Sequence, residues 1–264
     1  VASGKALTYS GAALSLGEHT LALTGGGTLS NTNPLSLDEA SSVLNVTGPN
    51  TVSGPIALNS GTLDIDEDSV ISGSIAQGGS ASVDVASGKS LAYSGAAISL
   101  GANTLTIAGG GSISSANALM LDNPDSQLTV TGSSVLSGAK VTASLTTGIV
   151  ISESSAITTL TVGALAPVAI AADKTLAGTV VINSEGTLML TGSGSLDSAV
   201  ALNGGSLDID ETLVINGAIT HSLSSTIDVA SGKVLTYSGA SLSLGEHTLA
   251  VSYTHQTKPT NREE

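Results

Sequence analysis

The chain has 264 residues, a formal net charge of −14 and no Cys, Phe or Trp. Nucleic acid is excluded as a partner, because phosphate binding needs a basic face that displaces counterions. No run reaches the roughly 18 apolar residues of a membrane-spanning helix; the most apolar stretch, residues 162–172, is short and carries Pro167.

The chain opens on Val-Ala-Ser-Gly-Lys-x-Leu-x-Tyr-Ser-Gly-Ala at Val1. The same peptide returns at Val85 and Val229, and a worn version, Ile-Ala-Ala-Asp-Lys-Thr-Leu, starts at Ile170. The intervals are 84, 85 and 59 residues. Tandem globular domains would give one interval, whereas 84 and 85 equal four units of about 21 and 59 is close to three. A chain that gains or loses structure in such small steps is built of stacked coils.

Longer matches keep the same unit. Residues 1–48 align without gaps on 85–132, so Gly-Gly-Gly-Thr-Leu-Ser at 25–30 meets Gly-Gly-Gly-Ser-Ile-Ser at 109–114. Residues 44–107 align on 188–251 at a shift of 144. Inside each unit the apolar residues come as i, i+2 pairs: Leu14/Leu16, Leu21/Leu23, Leu35/Leu37, Leu44/Val46, Ile56/Leu58 and Leu63/Ile65. Period two marks a strand with one buried face, and the Gly, Ser, Asn or Asp that follow are turn formers. The expectation is an all-β, right-handed parallel β-solenoid of about 12 coils of roughly 20–21 residues, with three short strands per coil. At about 4.8 Å per coil this gives a rod on the order of 55–60 Å long.

Two rival folds fail. A coiled coil would have to carry 32 Gly, each costing about 1 kcal/mol in a helix interior. A string of immunoglobulin-like sandwiches would be about 100 residues per domain with a core of large aromatics, and neither the 59-residue interval nor the absence of Trp, Phe and Cys suits it. The solenoid is expected over residues 1–251, open at both ends, within a longer natural protein.

Beyond Val251 the composition changes. Residues 252–264 hold the only Arg, Arg262, with His255 and a Tyr outside the repeated peptide. This tail is expected to be disordered or without biological meaning: Ser-Tyr-Thr-His-x-Thr-x-Pro-Thr resembles read-through of a sequencing adapter. A natural linker is the alternative.

Before the tail, five Lys stand against nineteen Asp and Glu. The Val-Ala-Ser-Gly-Lys-x-Leu-x-Tyr-Ser-Gly peptide, together with Gly-Gly-Gly-Thr-Leu-Ser and Leu-x-Val-Thr-Gly, resembles the passenger regions of bacterial autotransporters and related adhesins. The resemblance covers residues 1–251. It implies a parallel β-helix displayed outside the cell or on the bacterial surface, with a host or neighbouring cell surface, or its glycans, as partner. It transfers no binding residue.

The residues offer one metal candidate. Asp64, Asp66, Glu67 and Asp68 recur as Asp208, Asp210 and Glu211. With Leu63 and Ile65 inward, Asp64 and Asp66 share the outer face, and oxygen-rich clusters of this kind hold Ca²⁺. The Gly-Gly-x-Gly-x-Asp nonapeptide of calcium-binding rolls is absent, and solvated charge that keeps flat sheets apart serves as well. No other cofactor is called for.

His19 and His247 sit in Gly-Glu-His-Thr-Leu, which becomes Gly-Ala-Asn-Thr-Leu in the middle copy, so they read as turn residues. Tyr9, Tyr93 and Tyr237 share one position and read as a packed corner, with sugar stacking as the alternative. Lys5, Lys89, Lys174 and Lys233 share another, and Asp84 and Asp228 precede two of them, a place for a weak surface ion pair. Polysaccharide lyases and hydrolases share this kind of fold, but no Arg lies in the coils and no Gly-x-Ser-x-Gly elbow occurs. Outward Thr-x-Thr ladders for ice are missing: Thr8, Ser15, Ala22, Ser36, Asn45, Ala57 and Asp64 are too mixed. The expected role is a non-catalytic structural or adhesive stalk; a polysaccharide-binding or polysaccharide-cleaving β-helix is the alternative.

Overall fold

From Thr20–Leu23 onward, the apolar pairs identified above form short strands whose alternate residues point inward. In Val43–Val46, for example, Leu44 and Val46 are fully buried while Val43 and Asn45 lie partly exposed. Thr62–Ile65 repeats this with Leu63 and Ile65. The computed structural model describes residues 1–115, 117–143, 148–240, 242 and 246–253, and among them there is no helix.

The strands stack as three parallel faces. The first face begins with Ala6–Tyr9 and Thr28–Asn31 and the second with Leu14–Ser15 and Leu35–Leu37. The third is an unbroken twelve-stranded sheet from Thr20–Leu23 to Leu249–Tyr253. One strand of each face occurs per coil, so the chain makes about eleven turns of a parallel β-solenoid. This agrees with the roughly twelve coils expected from the repeats, one for each strand of the third face, although the coils are unequal in length. Leu44 pairs with Leu63, nineteen residues on, whereas Val83 pairs with Ile107, twenty-four on. The extra residues are taken up in the turns and the ladder keeps its register.

The core is one continuous apolar column. Along the third face Leu44, Leu63, Val83, Ile107, Val130, Ile151 and Ile170 follow one another in register. Burying each such side chain stabilises the fold by about 1.5–3 kcal/mol relative to exposure. The interior is filled almost entirely by Leu, Ile, Val and Ala, with Tyr93 the one fully buried aromatic among the described residues.

Midway along the rod the first two faces merge. Val135–Ala143, Ser155–Val162 and Thr175–Asn183 each run from the first face onto the second as one strand. A register shift marks the former corner between Ile157 and Leu160. At the far end, Leu249–Tyr253 pairs with Ser225–Val229, so Ser252 and Tyr253 continue the ladder. Residues 254–264 of the expected tail lie outside the described residues.

Candidate functional site

The recurring peptide forms the corner between the third and first faces. In each copy the Lys backbone N–H donates to the Ala carbonyl three residues back: Lys5 to Ala2 at 3.0 Å, Lys89 to Ala86 at 3.0 Å, Lys174 to Ala171 at 3.1 Å and Lys233 to Ala230 at 3.0 Å. The third residue of this turn has a positive φ, 74° at Gly88, as a type II turn requires. The worn copy places Asp173 there at φ 61°, the only non-glycine residue with positive φ among those described. Asp is one of the few L-residues that tolerate this region.

The turn aims its lysine at the coil before. Lys89 Nζ lies 2.7 Å from Glu67, Lys174 Nζ 2.7 Å from Glu153 and Lys233 Nζ 2.5 Å from Glu211. The partner is therefore a glutamate about one coil upstream, and not Asp84 or Asp228, the residues that precede the peptide. Asp84 instead faces outward from the third face, in register with Asp64. The Glu67 carboxylate holds the Lys89 ammonium above its ordinary pKa.

The seven candidate calcium ligands divide between two places. Glu67 and Glu211 are held by lysines at the corner. Asp68 accepts the backbone N–H and hydroxyl of Ser90, both at 2.8 Å, which lowers its pKa. Asp64 and Asp208 stand on the outer surface of the third face, each in register with an aspartate of the next coil, Asp84 and Asp228. Burial raises the Asp64 carboxyl pKa, and Asp66 and Asp84 add to the shift; burial, Asp210 and Asp228 do the same to Asp208. Asn45 Nδ2 donates to Asp64 at 2.8 Å and to Asp66 at 3.3 Å, a neutral amide doing part of a cation's work. Among the described residues no group of three or more Asp, Glu or His side chains is placed to share a metal ion.

The tyrosine position closes the next corner. Tyr93 is 4% exposed, and its hydroxyl donates to the Ala96 carbonyl at 2.6 Å while accepting the Ile75 N–H of the preceding coil at 3.2 Å. Tyr237 repeats both bonds, to Ala240 at 2.5 Å and from Ile219 at 3.2 Å. Burial raises the Tyr93 phenol pKa. The ring folds back over Gly95, where a Cβ would stand 2.6 Å from the tyrosine oxygen and 2.3 Å from the Gly73 carbonyl. Tyr-Ser-Gly is thus one structural unit: the ring needs the glycine. The Tyr93 ring is buried and so not available for stacking on sugars, whereas Tyr9 and Tyr237 are partly exposed.

His19 closes a turn through its N–H to the Leu16 carbonyl at 3.1 Å. The structure adds a residue that the sequence did not single out. The His221 ring packs edge-on against His247 with centroids 6.0 Å apart, and both of its nitrogens are buried without a partner. At the shift of 144 these two align with Gln77 and Asn103. The paired exchange of two amides for two imidazoles was the available signal.

No family model matches the chain. No curated protein and no solved structure matches it either. The parallel β-solenoid therefore rests on the coordinates and on the internal repeats, and any function must be argued from the surface.

One surface concavity of about 510 Å³ lies beside the worn repeat, walled by Val150, Ala169, Ala171, Thr191 and Ser193. Its lining includes a single carboxylate, Glu211, already paired with Lys233. Glycoside hydrolysis ordinarily uses two carboxylates across the scissile bond, and this wall has neither a second one nor an aromatic ring.

Proposed function

We propose that this chain is a structural rod: a non-catalytic stalk or scaffold of a larger surface-displayed or secreted protein, which spaces or presents an adhesive element toward a neighbouring cell or its glycans. The observation that carries this reading is the continuity of the column. A single buried apolar cluster extends from Leu16 to Val229, while the polar residues recur coil after coil at the corners and do not converge. About eleven turns at about 4.8 Å each amount to a rod of roughly 50 Å, stiffened by nearest-neighbour stacking. Its acidic surface keeps such rods apart from one another and from anionic cell envelopes, which suits a spacer.

The reading is tested by incubating the purified chain with a panel of neutral and acidic polysaccharides and, in parallel, with a glycan array and intact cells. The rod is expected to release no reducing or unsaturated ends. Depolymerisation of any member of the panel would replace the stalk with an enzyme. Binding on the array or to cells would place the adhesive element within the rod itself.

A further inference from the structure

Two inward columns of the second face end on a polar residue, and the two ends are built differently. Leu37 and Leu58 lead in register to Gln77, and Ile182 and Leu202 lead to His221. The apolar members of both columns are fully buried. Gln77 donates its amide N–H to the Thr104 carbonyl at 3.0 Å, and Asn103 donates to the Leu100 carbonyl at 2.8 Å. At the shift of 144 the same two positions hold His221 and His247. Here the bond is lost: both His221 nitrogens are buried with no hydrogen-bond partner. A neutral imidazole presents one donor and one acceptor, and buried polar atoms are ordinarily satisfied by protein, water or an ion. His247 is exposed, and its ring stands edge-on to His221 with 6.0 Å between centroids.

We propose that His221 and His247 form a two-imidazole site for a divalent transition-metal ion of the zinc, nickel or copper class, with water completing the coordination. Metal–nitrogen bonds of about 2.0–2.1 Å put each ring centroid about 3.2 Å from a shared ion, so two rings on one ion stand at most about 6.4 Å apart. The observed 6.0 Å lies inside that reach. Imidazole selects this class of ion over Ca²⁺ and Mg²⁺, which take oxygen ligands. The ion enters from the exposed side of His247 and gives a buried His221 nitrogen the partner that the protein does not. The net charge of −14 raises the concentration of cations around the rod. His221 lies in Ile219–Leu223 and His247 just ahead of Leu249–Tyr253, so the bound ion clamps one coil to the next.

The test is calorimetric titration of the full chain with Zn²⁺ in an excess of Ca²⁺, which occupies the surface carboxylates. One saturable Zn²⁺ site per chain is expected. His221→Gln and His247→Asn install the residues that the chain itself carries at Gln77 and Asn103, so the fold already accommodates them at these positions. Each is expected to weaken Zn²⁺ binding by about tenfold or more, since even residues behind the ligands are worth that much. The reverse exchange, Gln77→His with Asn103→His, is expected to add a second ion per chain. No saturable binding, binding that neither single substitution weakens, or a reverse exchange that adds no ion would overturn the proposal. Zn²⁺ binding that excess Ca²⁺ abolishes would overturn it too, by placing the ion on the carboxylates.

Discussion

The sharp repeat at Val85 and the worn repeat at Ile170 solve the same problem in different ways. Both make the Ala–Lys turn, and both hold a glutamate of the preceding coil, Lys89 with Glu67 and Lys174 with Glu153. Beyond the turn they diverge. The sharp copy breaks its chain into Ser90–Tyr93 and Ile98–Ser99, with Tyr93 folded over Gly95 as the corner. The worn copy continues from Thr175 to Asn183 as one strand that passes from the first face to the second. The turn and its ion pair are thus the constant part of the repeat. The tyrosine corner is one of two ways to round the next edge.

This comparison can be broken at the corner itself. Tyr93→Ala removes a ring from the core and strands the Ile75 N–H, and it is expected to cost about 3–5 kcal/mol. Denaturant unfolding followed by far-UV circular dichroism measures it. A loss below about 1 kcal/mol would mean that the ring merely decorates the edge. Gly95→Ala drives a methyl group against Tyr93 and the Gly73 carbonyl, with an expected loss of about 1–3 kcal/mol. The double variant Tyr93→Ala/Gly95→Ala should lose clearly less than the sum, because the clash partner has gone.

The turn offers a subtler comparison. Asp173 occupies a left-handed position that glycine fills in the sharp copies, so Asp173→Gly is expected to stabilise the worn coil by about 0.5–1 kcal/mol, and Gly88→Asp to destabilise the sharp coil by a similar amount. Equal and null effects at both sites would show that the backbone strain is absent. Smaller still, Glu153→Gln should cost about 0.5 kcal/mol or less, and this loss should shrink as salt is added.

The stacked aspartates give a prediction in pH. The carboxyls of Asp64 and Asp208 are raised from the ordinary value of 3.8. The stability they contribute is present below 3.8 and is lost as pH rises through the raised value. Asp64→Asn and Asp208→Asn should therefore stabilise the rod at neutral pH and do nothing below pH 3. Asp38 and Asp68 run the other way: hydrogen bonds from Ser15 and Asn59, and from Ser90, lower their carboxyls. Their contribution is present above 3.8 and is lost as pH falls through the lowered values. Melting temperature against pH for the four variants (Asp→Asn at each site) separates the two groups.

Much of the fold was legible because a strand writes its buried face at period two. Leu44/Val46 and Leu63/Ile65 sit in register as their spacing implies, and the intervals of the repeated peptide revealed the coil. The unequal lengths of the individual coils were not legible, because turn residues are silent in the pattern. The merging of faces at Ser155–Val162 was not legible either: in Ala-Ile-Thr-Thr-Leu-Thr-Val no turn former marks the corner, and its only trace is the step of three from Ile157 to Leu160, where the register shifts. At the candidate site the lysines are visible in the sequence, but their partners Glu67, Glu153 and Glu211 stand 22, 21 and 22 residues before them, one coil away, and only the stacking of coils brings them together. The tyrosine role depended on a backbone N–H of another coil, which no side-chain pattern records.

The central claim is that the coil is the unit of this molecule, and two deletions test it most directly. Removing residues 45–63 takes out one coil and joins Leu44 to Asp64, so that the Leu44 position inherits the Leu63 register. Removing residues 45–53 takes out about half a coil. Thermal unfolding of the two chains, followed by circular dichroism, is expected to show a cooperative β transition close to that of the parent for the first and a lost or strongly lowered transition for the second. Equal damage from both deletions would contradict the account.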